Sequence, residues 1–301
     1  MTHTNRGRPR HVSVIIPFRG ETGALRQQLA ALACQDYTGS WDITISDNGP
    51  TEGLEKFLAI FKATNTDLNV RCVDSSGFSG PAHARNVGTR ATSGDFLAFV
   101  DADDVVRPRW LSEVVETAAD ADIVSGSIVT SELNTPDVAE WRPVPAPADG
   151  WPVAGWYPTA IGANIGVWRD VHDAIEGFDE SFTRTAEDTD YAWRAQLAGY
   201  TLAHNPDAII DYRLRNRYRD LWKQMYWYGR GAVSLHKRYR DRGFTVYNNP
   251  VVLPLVVVSL LLRNPLIPTR ISRLSTGRWI FFVAHEVGKI HGSIVERVVC
   301  V

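Results

Sequence analysis

Short apolar runs alternate along this chain with stretches where apolar residues return every three or four positions. Val12 to Ile16, Trp41 to Ser46, Val70 to Val73 and Phe96 to Val100 have the length and density of buried strands. Between them, Leu25, Leu29 and Leu32 and then Leu54, Phe57, Leu58 and Phe61 repeat at helical spacing. Gly80 and Pro81 open a third helix through Ala84, Arg85, Val87 and Gly88, with proline where its missing N–H costs nothing. This alternation predicts right-handed crossovers and a doubly wound, mostly parallel α/β sheet.

The run from Phe96 to Asp104, FLAFVDADD, ends in three carboxylates. Ligands of open α/β sheets bind beyond the carboxyl ends of the strands, where Asp101, Asp103 and Asp104 would emerge. Alternation puts Asp101 and Asp103 on one side of an extended chain, where they repel unless a cation sits between them. Hard oxygen donors favour Mg²⁺ or Mn²⁺. Asp104 is assigned to capping a helix over Pro108 to Ala118.

Ala121 to Thr130 reads as a further strand. Thr135 to Pro158, rich in Pro and Ala, reads as a loop whose Trp141, Trp151 and Trp156 either plug the structure or form a sugar platform, with Trp156 the sugar-contact candidate. Asn164 falls in a tight stretch before a helix over Trp168 to Ile175, and Gly177 to Glu180 form a turn. Thr185 is then expected to cap a helix with Glu187 and Asp188 in its first turn. Asp190 and Arg194 would form a surface or interdomain i, i+4 pair, and Gly199 closes the helix.

The chain's 301 residues, 44% hydrophobic and 22% charged, suit one large α/β domain plus an appendage. Cys34, Cys72 and Cys300 are widely separated, which suggests neither a disulfide framework nor a zinc site and points to a reducing compartment. The polar, basic first residues carry no apolar core of a secretion signal, so the expected location is cytoplasmic. No G-x-G-x-x-G follows the first strand and no P-loop is present, so a nucleotide would be held by acids and a metal.

Charge divides the chain. Between Arg213 and Arg278, fourteen Lys and Arg face only Asp220 and Asp241, a net of +12 that leaves −14 for the rest of a chain totalling −2. Arg217 to Arg242 looks helical, and Pro250 to Leu262 is an apolar run, interrupted by Pro254 and too short to span a bilayer. Aromatic residues among the basic ones, and the nearby apolar run, suit peripheral contact with an anionic membrane at the inner face of the cell membrane. Nucleic acid is not expected as a partner. The expected divisions are a flexible terminus over 1–10, a catalytic domain over 11–215 and a basic, apolar helical region over 216–301.

Five segments together resemble the inverting GT-A glycosyltransferases often called family two. They are VSVIIPFRG, ITISDNGPTEG, PAHARNVGTRATSGDFLAFVDADD, GANIGVWRDVHDAIEGFDESF and AEDTDYAWR, covering about residues 11 to 215. The resemblance implies that Pro17, Phe18 and Asp47 hold the nucleobase, that Arg85 lies near the pyrophosphate and that Asp101 touches the ribose. It implies that Asp103 binds a Mg²⁺ or Mn²⁺ bridging the phosphates, that Asn164 and Glu187 face the sugar or acceptor, and that Asp188 is the general base. The donor would be a UDP-, TDP- or GDP-sugar and the acceptor a glycan or a lipid-linked hydroxyl. Asn48 and Pro50 stand where the family usually has Asp and Ser, a departure that bears on base preference. Tyr212 stands where a histidine is common, and His204 is left as structural. A metal-dependent sugar-phosphate nucleotidyltransferase and a non-catalytic sugar-nucleotide module are the alternatives. Phe18, Arg19, Gly20 and Glu21 supply no Gly-rich loop for the first, and retention of both Asp103 and Asp188 argues against the second.

Overall fold

β1 (Val12–Phe18) and β4 (Phe96–Val100) are largely apolar because both of their faces are covered, every residue of β4 being buried, while β2 (Trp41–Asp47) is buried along its middle but alternates Ile43 and Ile45 with Asp42, Thr44 and Ser46. They lie with β3 (Val70–Asp74) in parallel register, β1 between β2 and β4. The structure is a computed structural model that describes residues 5–49, 51–153, 155–244, 252–268, 270 and 274–300. Pro50 and Pro250 lie outside the described residues.

Beyond β4 the sheet changes direction. The remaining strands are β5 (Val105–Val106), β6 (Ile123–Val129), β7 (Asn164–Trp168) and β8 (Leu202–Asp211), and the order is β3-β2-β1-β4-β7-β6-β8-β5. β7 runs antiparallel to both β4 and β6, β6 pairs parallel with β8, and β5 pairs antiparallel with β8. The fully parallel half is therefore the one read directly from sequence. Asn164, expected in a tight stretch, instead begins β7, whose Gly166 leaves room for Phe96 and Val114 where a Cβ would clash. β8 carries His204, Asn205 and Asp207, which hide its apolar alternation, and a register shift opposite Ser125 and Ser127 absorbs the irregular stretch.

The crossover helices are α1 (Thr22–Leu32), α2 (Leu54–Thr64), α3 (Pro81–Arg90) and α4 (Trp110–Ala118). α3 packs closely on β1 because Gly88 has no Cβ; one there would lie 2.6 Å from a methyl of Ile15. α4 begins after Arg109 without a side-chain cap, and β5 separates it from Asp104, so Asp104 is not its cap. The expected loop over 135–158 contains α5 (Pro136–Trp141) and a short 3₁₀ turn at Pro147–Asp149. α6 (Arg169–Ala174) and α7 (Glu187–Leu197) follow β7.

The chain forms two compact units, one of residues 1–129, 145–153 and 157–212, the other of 130–144, 154–156 and 213–301. The first contains the sheet. Its N-terminal residues 5–10, expected to be flexible, are held by ion pairs of Arg6 with Asp122 and Asp170 and of Arg10 with Asp95. The second is helical: α8 (Tyr218–Tyr239), α9 (Val252–Leu262) and α10 (Thr276–Glu296) join α5. α8 crosses α10 at glycines; a Cβ on Gly288 would lie 2.1 Å from the carbonyl oxygen of Tyr226, and one on Gly229 equally close to that of His285. Leu221 and Met225 of α8 and Ala284 of α10 form the buried seam. The basic stretch is not one free surface, since Lys237 pairs with Glu296 at 2.8 Å and Arg230 lies over the Trp227 ring.

Candidate active site

The end of β4 turns sharply into the acids that follow it. One carboxylate oxygen from each of Asp101, Asp103 and Asp104 lies within 4.8 Å of the others, with Asp104 buried. Three hard oxygen donors converging this closely fit a divalent cation of the Mg²⁺ or Mn²⁺ kind.

Arg85, on the second turn of α3, joins this cluster to α7. Its guanidinium is buried and donates to Asp101 Oδ1 and to Glu187 Oε1, each at 2.9 Å. Burial works against the Arg85 charge, but Asp101, Glu187 and Asp188 more than offset it and raise its affinity for the proton. Burial pushes the Asp101 carboxyl up, with Asp103 adding to the effect and Arg85 opposing it. Burial and the adjacent Asp188 push Glu187 to about 7, again against Arg85. Arg85 Nε and Glu187 Oε2 are buried without a hydrogen-bond partner among the described residues.

The start of α7 is set by its backbone. Ala186, not Thr185, is the N-cap, held in the left-handed region at φ +71° with no side-chain cap. This aims Glu187 inward to Arg85. Asp188, half-buried, accepts a hydrogen bond on Oδ2 from the Gly162 N–H at 2.9 Å and one on Oδ1 from the Thr189 N–H. Gly162 is confined, because a Cβ there would lie 2.5 Å from Arg85 Nη2. Later in α7, Asp190 is fully buried and pairs with Arg194, which also donates to the carbonyls of Ile175 and Gly177. The expected surface or interdomain pair is thus a buried clamp on the preceding loop.

Two sequence segments hold each other at this level. Asn86 of α3 donates to Phe178 O and Glu180 and accepts from the Phe178 N–H, while His83 bonds the other oxygen of Glu180 at 2.7 Å. These bonds fix the loop that leads into α7. Asn48, buried after β2, donates to Ser75 O and Phe78 O and accepts from the Gly80 N–H. An aspartate could not donate those two bonds, so Asn48 organises the loop before α3.

The sequence-derived site residues fall into distinct places. Asp101, Asp103, Arg85, Glu187 and Asp188 share the network. Asp47 stands at the end of β2, opposite Phe18 in the β1–β2 register, and its carboxylate accepts from the Gly49 N–H and from Thr51. Pro17 and Phe18 end β1, and a groove of about 510 Å³ opens beside them, lined by Arg19, Glu21, Thr51 and their neighbours. Asn164 is fully buried beneath the site: its amide donates to Ser127 O and Ala208 O and accepts from Trp110 Nε1, which leaves it no face toward a sugar. Trp156 belongs to the helical unit, half-buried, and packs against Tyr239 and Phe244, with ring centroids 6.5 and 5.5 Å away. Trp151 donates to Gly126 O. The role of Gly162 was hidden because a backbone N–H carries no signal in side-chain chemistry, and Arg85 because its partners lie 16 and 102 residues away.

Comparisons with known proteins bear on the family and the fold. Family models match for glycosyl transferase family 2 over residues 13–174 and for glycosyl transferase family group 2 over residues 151–287. A pre-mycofactocin glycosyltransferase of Mycobacterium tuberculosis is 29% identical over 247 residues, 77% of this chain and 49% of the relative, so this chain spans about half that relative's length. The glycosyltransferase AglE of Haloferax volcanii is 27% identical over 227 residues, 74% of this chain and 73% of the relative. Among solved structures, the mannosyltransferase PcManGT from Pyrobaculum calidifontis in complex with GDP-Man and Mn²⁺ superposes with a TM-score of 0.65 at 16% identity, covering 96% of this chain and 89% of that one. S. aureus TarS 1-349 in complex with UDP gives a TM-score of 0.51 at 18% identity, covering 95% and 90%. The fold is of the GT-A type, with a C-terminal helical region. With the family model matching residues 13–174, more than half of its length, the chain belongs to glycosyl transferase family 2.

Proposed function

We propose that this protein transfers a sugar from a nucleoside diphosphate sugar to an acceptor hydroxyl with inversion at the anomeric carbon. The observation that carries the reading is the buried Arg85, which ties the acids at the end of β4 to the first turn of α7, where Asp188 stands. Pro17, Phe18 and Asp47, at the ends of β1 and β2 beside the groove, are assigned to the base of a UDP-, TDP- or GDP-sugar. Asp101 is assigned to the ribose, and Arg85 to the pyrophosphate side, held there by its two acids. Two structural neighbours, solved in complex with GDP-Man and Mn²⁺ and with UDP, support a nucleotide donor.

Asp103, with Asp101 and Asp104 beside it, is assigned to hold Mg²⁺ or Mn²⁺. Bound there, the ion would offset charge gathering on the departing diphosphate. On the opposite face of the sugar, Asp188 would take the proton of the acceptor hydroxyl as its oxygen bonds to the anomeric carbon. The bond from that carbon to the diphosphate oxygen breaks, and the electron pair leaves with the diphosphate. The Gly162 N–H fixes the direction of the Asp188 carboxylate, and the remaining lone pairs are left for the acceptor. Glu187 lies behind it, against Arg85, as a positioning residue. The acceptor class proposed is a glycan or lipid-linked hydroxyl, met by a peripheral protein at an anionic membrane surface.

Calorimetry with UDP, TDP and GDP in the presence of Mn²⁺ tests the donor side. At least one should bind in a metal-dependent way, and Asp103→Ala should abolish that dependence. Unchanged Mn²⁺-dependent affinity in the variant would remove Asp103 from the metal.

A further inference from the structure

The apolar run near the C-terminus forms α9, and its described side chains do not find a core. Val257 and Val258 are 42% and 51% exposed, Leu261 and Leu262 64% and 65%, and Leu266 in the following turn 94%. A helix apolar on all sides ordinarily lies inside a protein or in lipid. The Leu260 carbonyl accepts a hydrogen bond from Trp279 Nε1 at 2.8 Å, which fastens α9 to α10 within the helical unit and leaves the leucines outward.

The charge around it has one sign. From residue 242 to residue 285 the chain holds five arginines and no acid, and Arg263 and Arg270, just past the exposed leucines, are themselves exposed. We propose that α9 and the turn after it lie in the interfacial layer of an anionic bilayer, with Leu261, Leu262 and Leu266 at the acyl boundary and Arg263 and Arg270 at the lipid phosphates. Eleven residues of helix reach about 16 Å, roughly half a hydrocarbon core, so the segment rests in the surface and does not cross. Among the described residues, no helix is long and apolar enough to cross. A second copy of the chain fits this face poorly, because a two-fold contact would set the same arginines against each other. The inference deepens the membrane part of the proposed function and narrows it from the whole basic stretch to one element.

Flotation of the full chain with phosphatidylcholine vesicles, with and without phosphatidylglycerol, tests it at low and high salt. The protein should float with the anionic vesicles at low salt. Leu266→Glu, in an exposed turn where folding is not at risk, should weaken flotation about tenfold or more, and Leu261→Glu with Leu262→Glu should abolish it. Arg263→Gln with Arg270→Gln should lose most of the preference for anionic lipid. Failure of the parent to float, or flotation of all variants like the parent, would overturn the inference. So would a concentration-dependent dimer without vesicles that Leu266→Glu disrupts. Nucleoside diphosphate binding, measured on the same samples, reports the donor site separately, so loss of one reading does not carry the other with it.

Discussion

At the scale of single residues, the site depends on one buried cation serving two acids. Arg85 bonds one oxygen each of Asp101 and Glu187, and among the described residues neither acid has a second cation within ion-pair distance. Glu187 has the more displaced carboxyl, at about 7 instead of 4.5, because burial and Asp188 outweigh Arg85. Between those values the folded protein keeps a proton that the unfolded chain releases, so stability falls as pH rises. The contribution is complete below about 4.5 and gone once pH has passed about 7, at a slope of at most about 1.4 kcal/mol per pH unit. Glu187→Gln keeps the shape and removes the titration. Denaturant unfolding at pH 5 and pH 8 should show the parent losing more stability than the variant over that interval; equal losses would mean that Glu187 titrates normally.

Among the elements, those visible in the sequence are those whose physics is local. β4 is an unbroken apolar run and β1 nearly one, β2 shows itself by the alternation of Trp41, Ile43 and Ile45 with polar residues, and α3 announces itself by Gly80 and Pro81. The acids after β4 were legible for the same reason: a strand end with three carboxylates has few structural uses. β7 and β8 were not legible, since Gly166 and Asn164 are strand residues only through their neighbours, and His204 to Asp207 interrupt any alternation. The start of α7 depends on Ala186 in a left-handed conformation, which no residue type there advertises. In the helical unit, the pairing of α8 with α10 rests on glycines that look unremarkable in sequence. Gly288→Ala would drive a methyl to 2.1 Å from the Tyr226 carbonyl oxygen, a contact with backbone that only separation of the helices relieves. The expected cost is about 1 to 3 kcal/mol, read as a lower urea midpoint. An unchanged midpoint would show that the two helices are not in this close contact.

On the scale of the whole molecule, the chain holds a family 2 sheet and a separate helical unit whose exposed α9 is apolar and flanked by arginines. The links that make the site run from α3 to the acid after β4, 16 positions away, and to α7, 102 positions away, and in the sequence only resemblance to a known family associates these residues. Asn164 shows the limit of that route: it lies in a segment that looks functional, and its amide is fully engaged in buried bonds.

The central claim is that Asp188 accepts the proton of the acceptor. Asp188→Asn keeps the size of the side chain and an oxygen for the Gly162 N–H, while removing the carboxylate. With the donor identified from nucleotide sugars, the measurement is the rate of its turnover to acceptor, or to water where no acceptor is supplied, in parent and variant. The account predicts a fall of about 10²- to 10⁴-fold with nucleotide binding and thermal stability near the parent. A first-turn acid serving only the helix would instead cost about 0.3 to 1 kcal/mol of stability and leave turnover intact. A variant that turns over its donor at the parental rate contradicts the account.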